Sequence, residues 1–141
     1  MLKFITTPFI LEKAKEHGFL WKLLKTRIPT ETSFHNNIFY FEENSGWGFE
    51  PDQTCVFENN LYYNLRPRGA NAVTADPLFV NPGSGGTDID MTDTNRLSGY
   101  RLKDGSPGIN TGGIIEENPG KDFVANPING KPDLGVFEKW K

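Results

Sequence analysis

Cysteine is almost missing from this chain. Cys55 stands alone among 141 residues, which excludes an intrachain disulfide and the usual Cys-rich structural zinc site. Beside Val56 it reads as a small buried apolar residue rather than a reactive thiol. A basic surplus is lacking as well. The net charge is -3, whereas a nucleic-acid binder needs positive charge to neutralise phosphates, so no nucleic-acid partner is expected. Long apolar runs are the third absence. No stretch reaches the ~18–20 apolar residues that span a bilayer, and no membrane partner is expected. The opening MLKFITTPFILEKAKEHGF is interrupted by Glu12, Lys13, Lys15 and Glu16. It lacks the unbroken apolar stretch of a secretory signal peptide.

Aromatic residues, by contrast, are abundant. They make up 13% of the chain, with 11 Phe, 4 Tyr and 3 Trp, and 15 Gly with 10 Pro imply many turns. That composition favours a mainly β fold with short strands and a stacked aromatic core. The one helical pattern covers residues 8–25, where Phe9, Ile10, Ala14, Leu20, Leu23 and Leu24 recur at near-helical spacing. Thr7 is placed to cap it, Pro8 suits its first turn, and Pro29 ends it. Its apolar face is expected to pack on a β layer. The chain thus divides into an amphipathic helical segment, 1–28, and a β region, 29–141.

The β region repeats itself. FHNNIFYF (Phe34 to Phe41) aligns with FENNLYYN (Phe57 to Asn64) at an offset of 23 residues. Phe34 falls on Phe57, Asn36 on Asn59, Asn37 on Asn60 and Ile38 on Leu61. Such a period marks a stacked architecture, in which each turn of chain lies ~4.8 Å above the last and equivalent residues sit on one another. Asparagine tolerates the left-handed backbone of a sharp bend, and its amide can bond to the asparagine of the next level. The asparagine pairs therefore read as a structural ladder. Ile38, Leu61, Phe34 and Phe57 are expected to point inward. Strand alternation would then turn Phe39 and Tyr62 outward.

The second half carries a further pattern: ADPLFVNPGSGG from Ala75, GYRLKDGSPGINTGG from Gly99, DFVANP from Asp122 and KPDLGVFE from Lys131. In that order these pieces resemble the closing segment of right-handed parallel β-helix proteins of the pectate-lyase-like superfamily. Asn110, Gly108, Ala125 and Leu134 stand where those proteins usually carry Asp, Ala, Gly and Ile. The resemblance implies the terminal coils of a β-helical solenoid with an irregular C-terminal cap. It also implies a carbohydrate-active protein, extracellular or periplasmic, of glycoside hydrolase or polysaccharide lyase type. Its partner would be a polysaccharide or oligosaccharide, and its main catalytic centre would lie outside this chain. The alternative is a non-catalytic capping or assembly module that self-associates through an exposed coil edge.

A glycoside hydrolase needs two carboxylates, ~5–5.5 Å apart for retention or ~6.5–9.5 Å for inversion. The candidates are Glu42, Glu43, Glu50, Asp52 and Glu58. Arg66 and Arg68 are placed to hold an acidic sugar, and Phe39, Tyr62 and Trp47 to form a stacking platform. No cofactor is implied. Calcium is the one cation the acidic loop with Asp88, Asp90 and Asp93 could take, although EF-hand spacing is absent. His17 and His35 lack the nucleophile of a triad. His35 occupies the position of Glu58 one repeat earlier, so the two are expected to face each other.

Overall fold

The computed structural model describes residues 31–47, 53–85, 93–118 and 120–139. The expected helix over 8–25, the boundary at residue 28 and His17 lie outside the described residues. What is described is mainly β, built from short strands: β1 (Ser33–His35), β2 (Ile38–Ser45), β3 (Val56–Glu58) and β4 (Leu61–Leu65), followed by a 3-10 helix over Thr94–Tyr100. Among the described residues no helix is long and apolar enough to cross a membrane.

The strands pair in parallel, in the register the repeat predicts. β1 lies on β3 with Phe34 opposite Phe57, and β2 lies on β4 with Ile38 opposite Leu61. The bends between β1 and β2 and between β3 and β4 turn on Asn36 (φ 59°) and Asn59 (φ 52°), where the backbone takes the left-handed form that asparagine accepts at least cost among larger residues. The neighbouring pair forms the ladder: Asn37 donates its backbone N–H (2.8 Å) and its amide Nδ2 (3.2 Å) to Asn60 Oδ1. Asn60 in turn donates Nδ2 to the Phe34 carbonyl at 2.8 Å.

A third level follows that the repeat does not announce. Ala70 and Val73 bridge in parallel to Glu58 and Leu61, and Asn71 is left-handed like the bends above it, with φ 52°. Gly69 makes the approach possible, since a Cβ there would lie 1.8 Å from the Phe57 carbonyl oxygen. Asn71 Nδ2 donates to Asn59 Oδ1 at 3.0 Å, extending the asparagine column by one level.

The strand faces differ from the expectation in one respect. Alternation holds, but both faces are buried. Ile38 and Leu61 face a cluster made with Phe79, Leu97, Tyr100, Leu102, Leu134 and Phe137, all supplied by the C-terminal half. Phe39 and Tyr62, expected outside, are only 3% and 1% exposed and pack with Phe57, Leu65, Phe34 and Trp47. Phe34 stacks on Phe57 at 4.6 Å and Phe39 on Tyr62 at 5.1 Å between ring centroids. The rings of the β1–β3 ribbon thus meet those of the β2–β4 ribbon across the bend, so the aromatic cluster fills its inside. The C-terminal half covers the other face. Each fully buried side chain of this size contributes about 1.5–3 kcal/mol, and neither face could be left to water.

The C-terminal cover is held by side-chain acceptors rather than long ladders. Asp122 Oδ1 accepts from the backbone of Val124 and Asn126. Buried Asp133 accepts from the N–H groups of Asn110 and Lys139, each at 2.7 Å. Ser106 Oγ donates to the Pro77 carbonyl at 2.6 Å. These are the roles that the Asp-containing turns of the sequence suggest.

Candidate functional site

The register between β2 and β4 runs unbroken from Ile38 opposite Leu61 to Tyr40 opposite Tyr63, then shifts, so that Ser45 comes to lie opposite Leu65. β2 bulges where β4 does not. Asn64 sits at the break in left-handed geometry, φ 55°, and its Nδ2 ties down the bulge by donating to the carbonyls of Phe41 (2.8 Å) and Glu42 (3.2 Å). Beside it opens a cleft of about 360 Å3. Its polar wall is Asn44, Ser45, Asn64, Arg66 and Thr74, and its aromatic wall is Tyr62 and Tyr63. Nothing among the described residues forms a hydrogen bond or ion pair with the Arg66 guanidinium.

The segment beneath the cleft is pinned from the aromatic cluster. Trp47 Nε1 donates to the Arg66 carbonyl at 2.8 Å, and Tyr62 OH donates to the Arg68 carbonyl at 2.8 Å. The Arg68 guanidinium lies over the Trp47 ring, 4.7 Å from its centroid, a cation–π contact. Burial pushes the Tyr62 phenol up to about 12, against the opposing pull of its bonds to Asn60 and Arg68 and the Arg68 charge. At neutral pH it is therefore a fixed donor.

The five residues expected to bind sugar, Phe39, Trp47, Tyr62, Arg66 and Arg68, are thus brought into one neighbourhood, with unequal roles. Phe39 and Tyr62 are buried, and of the two Tyr62 borders the cleft. Trp47 meets Phe39, Phe57 and Tyr62 edge-on, at 5.3, 5.6 and 6.1 Å, and carries Arg68 on its face. Arg66 alone of the five is exposed at the cleft.

Among the described residues, Glu42, Glu43 and Glu58 do not line the cleft, and its described lining holds no Asp, Glu or His. Glu42 and Glu43 lie exposed on the outer half of β2. Glu58 faces His35 across β1 and β3, with Oε2 3.7 Å from Nδ1, as their shared repeat position suggests. Glu50, Asp52, Asp88 and Asp90 lie outside the described residues. Asp93 caps the 3-10 helix, accepting from the Asn95 N–H at 3.1 Å. Among the described residues no group of three potential metal ligands comes together. Asp122, Asp133 and Glu138 of the C-terminal cover are committed to backbone amides. Burial raises the Glu138 carboxyl above its ordinary range, with the Asp133 and Asp122 charges adding to the effect.

Asn44, Asn64 and Thr74 are cleft residues that the sequence patterns do not single out. One signal was there: the repeat aligns Phe41 with Asn64, the place where apolar stacking stops.

No protein-family model matches the chain. Over 140 aligned residues it is 27% identical to the lacto-N-biosidase of Bifidobacterium longum subsp. longum, a glycoside hydrolase. The alignment covers 83% of this chain and 9% of that enzyme, so the chain spans less than a tenth of the relative's length.

Proposed function

We propose that this chain forms terminal coils and cap of a right-handed parallel β-helix in a carbohydrate-active protein, and that it binds oligosaccharide in the cleft beside Asn64. The observation that carries this reading is the cleft itself. Amide, hydroxyl and guanidinium groups stand beside the half-buried Tyr63, the mixture that meets sugar hydroxyls and leaves one ring edge for the apolar side of a pyranose. The parallel register, the left-handed asparagine bends and the family-like ending support the solenoid. An extracellular or periplasmic location accords with such a ligand. The described lining of the cleft is amide, hydroxyl and guanidinium, a set that supports binding at this place. Cleavage, as hydrolase or lyase, falls to groups elsewhere in the protein, consistent with the small share of the relative that the chain matches.

The test is titration calorimetry with two probes, a lacto-N-biose-terminated oligosaccharide and a uronate-containing one, alongside an assay for reducing ends and unsaturated uronate. Saturable binding by the wild-type chain, weakened by Asn64→Ala and Thr74→Ala, is expected. A chain that binds neither sugar, and whose mass in solution grows with concentration, would instead be an assembly module.

A further inference from the structure

The aromatic residues nearest the cleft invite assignment as a sugar-stacking platform. Their geometry says otherwise. The Trp47 ring is edged by Phe39, Phe57 and Tyr62, and the Arg68 guanidinium lies on its face. A sugar would have to displace a cation–π contact to stack there. Tyr62 is 1% exposed.

What both rings do reach is one short stretch of main chain. Trp47 Nε1 holds the Arg66 carbonyl and Tyr62 OH the Arg68 carbonyl, each at 2.8 Å. Between those two carbonyls stands Pro67, which fixes its own φ and confines Arg66 to extended geometry. Anchored at both ends and stiffened in the middle, the segment fixes the direction in which the Arg66 Cα–Cβ bond leaves the main chain. The Arg66 side chain is the exposed cation of the cleft wall.

We propose that Trp47 and Tyr62 are positioning residues, which fix the Arg66-Pro67-Arg68 main chain so that the Arg66 side chain leaves it toward the oligosaccharide in the cleft. The inference rests on the cleft being a sugar site. A fixed main chain matters because ordering a loop on binding costs affinity. A platform and a positioning role predict different results. Trp47→Phe keeps an aromatic face but removes the indole N–H, and Tyr62→Phe keeps the ring but removes the hydroxyl.

Two measurements test this on the full chain. The first needs no ligand: nitrogen-15 relaxation of the backbone N–H groups of Arg66 and Arg68. They should be restricted in the wild type and more mobile in Trp47→Phe and in Tyr62→Phe, while the backbone core of β2 and β4 stays unchanged. Equally restricted groups in both variants would overturn the proposal. The second is calorimetry with the lacto-N-biose-terminated oligosaccharide. Arg66→Ala and Trp47→Phe should each weaken binding about tenfold, and the double variant no more than Arg66→Ala alone, because both losses act through one group. Full affinity in Trp47→Phe, or additive losses, would likewise overturn it. Should the wild type bind no sugar while the relaxation result holds, the carbohydrate reading falls and the positioning of Arg66 stands.

Discussion

Asn36 and Gly113 exchange a reciprocal pair of hydrogen bonds across the fold: Asn36 Nδ2 donates to the Gly113 carbonyl and the Gly113 N–H donates to Asn36 Oδ1, both at 2.8 Å. One side chain thus satisfies both backbone polar groups of a residue in the C-terminal cover while its own backbone makes the first bend. The Gly135 N–H reaches the same residue, donating to the Asn36 carbonyl at 2.9 Å. Gly113 must stay small, because a Cβ there would come within 2.3 Å of Asn59 Nδ2. Two levels of the asparagine column therefore grip the cover.

Replacing Asn36 separates its two duties. Asn36→Gly keeps the left-handed bend and loses the paired bonds, and should cost about 1–3 kcal/mol. Asn36→Ala adds the left-handed strain of about 1–2 kcal/mol, partly offset by the lower freedom of its unfolded chain, and should be worse by about 0.5–1 kcal/mol. Urea denaturation of both variants would show it as a lower midpoint with little change in slope. Equal midpoints for the two would mean that the bend relaxes.

The ladder inside the fold makes a second claim. Asn60 is completely buried, accepts from Asn37 and donates to the Phe34 carbonyl. Asn60→Ala should strand those groups and cost about 2–3 kcal/mol. Because Asn37 Nδ2 shares that acceptor, a double-mutant cycle with Asn37→Ala should show coupling of about 0.5–1 kcal/mol or more. Additive losses would show that the two amides do not act as a ladder.

These contacts also show what a sequence can disclose. Stacked levels place like residues on like, so FHNNIFYF and FENNLYYN reveal their register directly, and asparagine at a bend carries its own conformational reason. The inside of the bend was not legible, since alternation separates two faces without saying which is covered. Here Phe39 and Tyr62 bury against Trp47 and Phe57, while Ile38 and Leu61 bury under residues far along the chain. The third level escaped because Ala70 to Val73 carries one asparagine and no aromatic echo. The cleft escaped because it arises from a break in register at Asn64, an event between strands rather than within one.

Alkali should find Tyr62. Burial raises its phenol from 10.0 to about 12, so the folded state holds the proton more tightly than the unfolded chain. The sign follows: this contribution is fully present below pH 10.0 and is lost as pH climbs toward about 12. Wild-type unfolding should therefore be pH-dependent across that window, and Tyr62→Phe should flatten the dependence while losing the bond to the Arg68 carbonyl. The check is tyrosinate absorbance against circular dichroism during alkaline titration. Free ionisation of all tyrosines before any loss of structure would contradict it.

Ala125 offers the opposite kind of substitution, one that should strengthen the protein. Its φ is 67°, in the left-handed region where a Cβ costs about 1–2 kcal/mol. The turn around it is held firmly. Asp122 accepts from the backbone of Val124 at 2.9 Å and of Asn126 at 2.7 Å, and the Ala125 N–H donates to the Asp122 carbonyl at 3.1 Å. The backbone therefore has little freedom to escape the strain. Ala125→Gly removes the strain but gives the unfolded chain more freedom, about 0.4–1 kcal/mol in the other direction. A net gain of about 0.5–1 kcal/mol is expected, a rise of a few degrees in melting temperature for a domain of this size. Asp122→Ala in the same background should reverse it, because the turn would no longer be held and glycine would add only disorder. A lower melting temperature for Ala125→Gly alone would mean that the turn relieves its strain in solution.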